Sequence, residues 1–152
     1  MRTLKVGDKM PIISQIDESG NVVNLSDYLG KKLVVFFYPK ASTPTCTVEA
    51  CNLRDHYKML KDSGYEIIGV SADSPLRQSN FKKKHDFPYT LLADEDKRVI
   101  NAFGVWGEKK FMGRTFDGIH RTTFVVNEKG IIEKVIVKVN SKDHAAQIIG
   151  NC

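Results

Sequence analysis

The sequence predicts an α/β protein in which a mixed central β-sheet is flanked by helices, with an N-terminal β-hairpin extension. Three observations predict it. Short apolar runs of strand type alternate with stretches of helical periodicity, which is the pattern of a sheet covered by helices. The run Leu33-Val34-Val35-Phe36-Phe37-Tyr38 is continuously apolar, as a strand buried on both faces requires. Further on, two apolar runs are joined by Asn127-Glu128-Lys129-Gly130, a tight-turn signal.

Taken in order, Ile12 to Ile16 and Val22 to Leu25 flank Ser19-Gly20-Asn21, which predicts a hairpin. Leu33 to Tyr38 is the first buried strand. A helix is expected from about Pro44 to Ser63, with Gly64 placed to end it. Tyr65 to Ala72 is the next strand. Ser74-Pro75 opens a helix to about His85, with a cap residue followed by a proline at the first helical position. Thr90 to Ala93 is a short strand, and Asp94 can cap a helix from Glu95 to about Phe103. Thr122 to Asn127 and Ile131 to Val139 form a second hairpin, and Ser141 can cap a last helix to Ile149. A thioredoxin-like arrangement fits that order, in a single domain over residues 1–152.

Apolar residues make up 41% of the 152 and charged residues 27%, the balance of a soluble globular chain. The apolar runs fall far short of the roughly 20 residues that span a bilayer. The start, MRTLKVGDKMP, has no apolar stretch of signal-peptide type, so a cytoplasmic location without membrane attachment is expected. The net charge is +5, with lysines gathered at Lys82-Lys83-Lys84, Lys31-Lys32 and Lys109-Lys110. Acidic residues are interspersed and no arginine-plus-aromatic pattern accompanies them, so a solvated lysine face is expected in place of a nucleic-acid surface.

Two of the three cysteines, Cys46 and Cys51, sit five apart in YPKASTPTCTVEAC. Thr43 suits the N-cap and Pro44 the first helical position, so Cys46 falls in the first turn. Free N–H groups and the positive end of the helix dipole lie there, and both raise the thiolate fraction. Cys46, Ala50, Leu53, Tyr57 and Leu60 recur at fours and threes, which puts the Cys46 sulfur on the face packed against the sheet. Cys51 lies about 140° around the helix, near Asp55 and Lys58. Residues five apart in a helix stand about 8 to 9 Å apart at Cα, whereas a disulfide needs less than about 7 Å. The pair can therefore bond only if the helix start unwinds. The competing reading is that Cys46 is a small buried hydrophobe.

His56, His85, His120 and His144 are scattered without zinc-type spacing to a cysteine, so no metal or other cofactor is expected and the histidines are read as surface residues. A Cys-His hydrolase would need a distant histidine that no motif supports. Cys152, the last residue, is expected to be exposed, with no prenylation box around it.

The stretch Pro39-x-x-x-Thr43-x-x-Cys46 resembles the active-site motif of peroxiredoxins, and its extension to Cys51 in TPTCTVEAC resembles the peroxiredoxin Q branch, also called bacterioferritin comigratory protein. KVGDKMP, VSADSPLRQSNFKKKH, PYTLLADEDKRVINAFGVWGEKKFMG and GIHRTTFVVNEKG resemble that branch in the same order, from about Leu4 to Val139. The resemblance implies a thioredoxin fold with extra N-terminal elements. It implies that Cys46 is the peroxidatic cysteine and Cys51 the resolving one. Thr43 matches the hydroxyl that contacts peroxide, Pro39 the residue that shields the sulfur, Arg121 the active-site arginine, and Glu49 an acidic position in the same helix. Hydrogen peroxide and organic hydroperoxides are then the implied substrates, thioredoxin the implied reductant, and a monomer the implied state. The preferred peroxide would depend on pocket shape near Phe87, Trp106 and Phe111.

Two other readings stand beside the peroxidase. A general thiol-disulfide oxidoreductase would be expected to carry a C-x-x-C pair, which this chain lacks. A nucleic-acid-binding or chaperone-like module would show salt-dependent affinity and would not need Cys46.

Overall fold

The computed structural model describes residues 2–150. β1 (Ser14–Ile16) and β2 (Val22–Asn24) form the expected antiparallel hairpin, and one turn of 3-10 helix follows at Leu25–Tyr28. The central sheet has five strands. Its middle strand, β3 (Lys32–Phe37), pairs in parallel with β4 (Tyr65–Ser71), which pairs in parallel with β5 (Thr90–Ala93). On its other side β3 pairs antiparallel with β8 (Thr122–Val126), and β8 with β9 (Ile132–Ile136).

The apolar run of β3 divides by parity. Leu33, Val35 and Phe37 join one core with Ile68, Val70, Phe124 and the helix α4 (Arg98–Phe103). Val34, Phe36 and Tyr38 join the other with α1 (Pro44–Asp55), α2 (Tyr57–Asp62), α3 (Pro75–His85) and α5 (His144–Ile149). Alternate side chains leave a strand on opposite faces, so an unbroken apolar run serves two cores.

The structure corrects several expected boundaries. The long helix over 44–63 breaks at His56 (φ −106°, ψ 13°). There the Asn52 carbonyl, which takes the helical bond from the His56 N–H at 3.2 Å, also lies 2.8 Å from the ring Nδ1 of His56, and this side-chain bond competes with the backbone one. The expected apolar stripe survives the break, since Cys46, Ala50, Leu53 and Leu60 are buried and Tyr57 packs half-buried against the same core. α4 begins at Arg98 and not at Glu95, so Lys97 and not Asp94 is its N-cap, yet Asp94 still serves the helix start from outside it. Its buried carboxylate accepts the N–H groups of Val99 and Ile100 at 3.1 and 2.8 Å across an intervening turn.

A further hairpin, β6 (Trp106–Phe111) and β7 (Arg114–Ile119), was not expected. Its strands are mostly polar and exposed, so they lack an apolar alternation, and the turn at Met112 and Gly113 takes positive φ at both residues. Among the described residues no helix is long and apolar enough to cross a membrane.

Candidate active site

The site forms where the end of β3 meets the start of β8. Their antiparallel register sets Phe37 opposite Thr122, so the loop leaving β3 and the residue preceding β8 come together. That loop carries Pro39 and Thr43 and leads into the first turn of α1, which carries Cys46, and the residue is Arg121. Asp73 holds the loop: its carboxylate accepts the Ala41 N–H and the Ser71 hydroxyl, each at 2.7 Å. Ser42 takes a left-handed conformation (φ 64°), which turns the chain into α1.

Thr43 stands at the N-cap and Pro44 in the first turn, as expected, but the Thr43 hydroxyl does not cap. It donates to the Lys40 carbonyl at 2.7 Å, an acceptor closer to hand than the helix N–H groups are suitable donors. The Thr43 carbonyl accepts both the N–H and the hydroxyl of Thr47, at 2.9 and 2.7 Å, which tightens the first turn around Cys46. Pro39 is half-buried beside this turn.

Cys46 is 1% exposed. Its sulfur accepts a hydrogen bond from Arg121 Nη2 at 3.1 Å, while Nη1 of the same guanidinium lies 2.6 Å from Glu49 Oε1. Glu49 follows Cys46 by three positions, so one helix face presents both groups to one fork. Burial works against the Arg121 cation, but Glu49 and Cys46 outweigh it and hold the guanidinium above its ordinary value. Burial pushes Glu49 up to about 7 despite the opposing pull of Arg121.

Two further residues belong to the site without any signal in the sequence. Lys109, on β6, donates to the Ile119 carbonyl at 2.8 Å and feels the charges of both Arg121 and Cys46. Burial, with Arg121 adding to it, lowers its value. His144 corrects the reading of the histidines as surface residues. It is fully buried at the start of α5, with Nε2 2.7 Å from Thr123 Oγ1 and 3.4 Å from Glu49 Oε2. Phe87 is corrected as well, since it lies in the core stacked on Tyr89, while Phe111 stands exposed on the β6–β7 hairpin.

Cys51 is half-buried on the intact helix, and both cysteines are free thiols. Burial raises the Cys51 thiol, with Arg54 lowering it and Asp55 raising it. It lines a shallow surface depression with Val48, Asn52, Asp55 and Lys142. Cys152 lies outside the described residues. No group of three or more His, Cys, Asp or Glu residues is placed to hold a metal ion among the described residues. In the lysine clusters, Lys82 is paired with Glu18 at 2.7 Å and Lys32 lies over the Tyr65 ring.

Residues 6–135 match the model of the AhpC/TSA family. The chain is 48% identical over 144 residues to peroxiredoxin Bcp of Escherichia coli K12, covering 95% of this chain and 92% of that one. Among solved structures, the bacterioferritin comigratory protein of Xanthomonas campestris, studied for alkyl peroxide reduction, superposes with a TM-score of 0.85 at 30% identity, covering 93% and 94% of the two chains. A cysteine-to-serine variant of PrxQ from Xylella fastidiosa superposes with a TM-score of 0.90 at 26% identity, covering 97% and 94%.

Proposed function

The chain belongs to the AhpC/TSA family and is a thiol-dependent peroxidase; we propose that Cys46 is its peroxide-reacting thiol and Cys51 the thiol that resolves it. The observation that carries this reading is the buried Cys46 sulfur held at 3.1 Å by Arg121. A guanidinium on a thiol favours the thiolate by charge and supplies a donor beside the attacked oxygen.

The Cys46 thiolate attacks the terminal peroxide oxygen. An S–O bond forms, the O–O bond breaks, and the departing hydroxide or alkoxide takes a proton to leave as water or alcohol. Negative charge moves from sulfur to oxygen in that step, so donors aimed at the oxygens lower its barrier. Arg121 and the Cys46 N–H are the donors, the Thr43 hydroxyl, whose one hydrogen goes to the Lys40 carbonyl, offers the peroxide an acceptor, and Pro39 shields the sulfur from the solvent side.

The Cys46 sulfenic acid then meets Cys51. The Cys51 sulfur forms the S–S bond, the S–O bond breaks, and the hydroxyl leaves with a proton as water. In the folded helix Cys51 is both too distant and held as a thiol by burial. Unwinding the start of α1 removes both obstacles together.

Hydrogen peroxide and organic hydroperoxides are the substrates of this reading, and thioredoxin the dithiol that reduces the Cys46–Cys51 disulfide. The protein acts as a cytoplasmic monomer of one domain, with neither nucleic acid nor membrane as partner. The test is to mix reduced protein with one equivalent of hydrogen peroxide, quench with an alkylating reagent within seconds, and map the cysteines by mass spectrometry. A Cys46–Cys51 disulfide with Cys152 alkylated is expected. Alkylation at all three cysteines would overturn the reading.

A further inference from the structure

His144 takes no part in the steps above, yet it is fully buried directly behind them. Its hydrogen-bond partners define where its protons are. Gln147 Nε2 donates to the Lys138 carbonyl at 2.9 Å, and Gln147 Oε1 accepts the Asn140 N–H at 2.8 Å, so the orientation of that amide is set. The same Oε1 lies 2.8 Å from His144 Nδ1, which must therefore carry a hydrogen.

That leaves Nε2 to face Thr123 and Glu49. Glu49 Oε2 is buried and has no hydrogen-bond partner; His144 Nε2, 3.4 Å away, is the polar atom set against it. With Glu49 ionised and the imidazole neutral, Nε2 can accept the Thr123 hydroxyl hydrogen but has none to give to Glu49, which leaves a charged oxygen unpaired in a dry site. One added proton, on either Oε2 or Nε2, removes the conflict. It also changes the charge balance, because Cys46 and Glu49 would otherwise divide a single guanidinium between two anions.

We propose that His144 and Glu49 keep one proton between them behind Arg121, and so reserve the guanidinium charge for the Cys46 thiolate. His144 is a positioning residue in this account and does not touch the peroxide. The inference rests on Cys46 as the peroxide-reacting thiol. Burial raises Glu49 and lowers His144, and both directions favour a neutral pair with the proton on the carboxyl. The other ionisable groups facing the pair are Cys46, Arg121, Lys109 on β6 and the phenol of Tyr89, which burial keeps neutral. Lys142 and Asp143 at the start of α5 are exposed, and Lys134 on β9 is bonded to the carbonyls of Gln147, Ile148 and Gly150.

The test uses His144→Gln. A glutamine amide can donate to Glu49 and accept from Thr123 but holds no titrating proton, so Glu49 becomes a full anion beside Arg121. The pH profile of Cys46 alkylation then moves up by about one unit, which makes alkylation about tenfold slower on its acid limb. Adding Glu49→Gln in the same chain returns the profile to the wild-type position. An unmoved profile in the single variant, or a shift that the second substitution leaves in place, overturns the proposal. If His144→Gln does not fold, carbon-13 and nitrogen-15 NMR of glutamate carboxyls and histidine rings in the wild type decide it. A protonated Glu49 or an imidazolium His144 at neutral pH is expected, and a carboxylate beside a neutral ring overturns it. Peroxide oxidation of wild-type Cys46 is scored in the same preparations. Its failure would sink the peroxidase reading, whereas intact oxidation with the wrong alkylation pattern would sink only the proton pair.

Discussion

One guanidinium serves two acidic groups: Arg121 donates to Cys46 Sγ at 3.1 Å and lies 2.6 Å from Glu49 Oε1. The planar fork allows this, because its nitrogens diverge at a fixed angle and each meets a group one helical turn from the other.

Arg121→Gln keeps some hydrogen-bonding capacity but removes the charge. Peroxide reduction is expected to fall by about 100- to 1,000-fold in kcat/KM, the range for losing a donor aimed at developing charge. Arg121→Lys should recover only part of it, since a point charge cannot hold both partners. Competition kinetics against a reference peroxidase reads both variants.

Tyr89 donates from its hydroxyl to the Ala50 carbonyl at 2.6 Å, between the two cysteines on α1. Tyr89→Phe keeps the stacking on Phe87 and deletes the bond. A loss of about 1 kcal/mol in urea unfolding is expected. The same change should speed disulfide formation after peroxide, because the helix start opens more readily. A stopped-flow trace showing slower resolution would contradict the unwinding step.

Cys51→Ser removes the resolving thiol while leaving Cys46 under Arg121. One turnover should then stop at the sulfenic acid, and excess peroxide should carry Cys46 on to sulfinic acid. Intact mass spectrometry follows both stages. Persistence of an intramolecular disulfide would assign resolution to Cys152.

Glu49 stands raised from 4.5 to about 7 by burial. A carboxyl raised by folding binds its proton more tightly in the native state, so its contribution to stability is present below about pH 4.5 and is lost as pH rises through about 7. The wild type should therefore lose more stability than Glu49→Gln does across that interval. Thermal unfolding of both proteins from pH 4.5 to 8 measures the difference, and parallel curves would count against the shift.

Much of the site was legible because its chemistry is local. The proline and cap-type residue before Cys46, the apolar spacing down α1 and the strand pattern of β3 are all short-range features, and each stands where it was expected. The Thr43 hydroxyl departed because Lys40 offered an acceptor that helix periodicity does not register. The β6–β7 hairpin was hidden because its strands bury little, so no alternation marks them. Glu49 had only its match to an acidic position, and its role came with the partners that folding brought to it.

The sequence by itself determined the alternation of strands and helices, the placement of Cys46 in the first turn of a buried helix face, and the need for that helix to open before Cys51 can reach it. Those follow from φ/ψ preferences, periodicity and the reach of a disulfide, which act over a few residues. The tertiary structure alone decided that Arg121, Lys109 and His144 converge on Cys46 and Glu49. They are far apart in the chain, and only sheet register and helix packing bring them within hydrogen-bond and Coulomb range. Their protonation is likewise a property of the assembled site, because it depends on which neighbours remain when water is excluded.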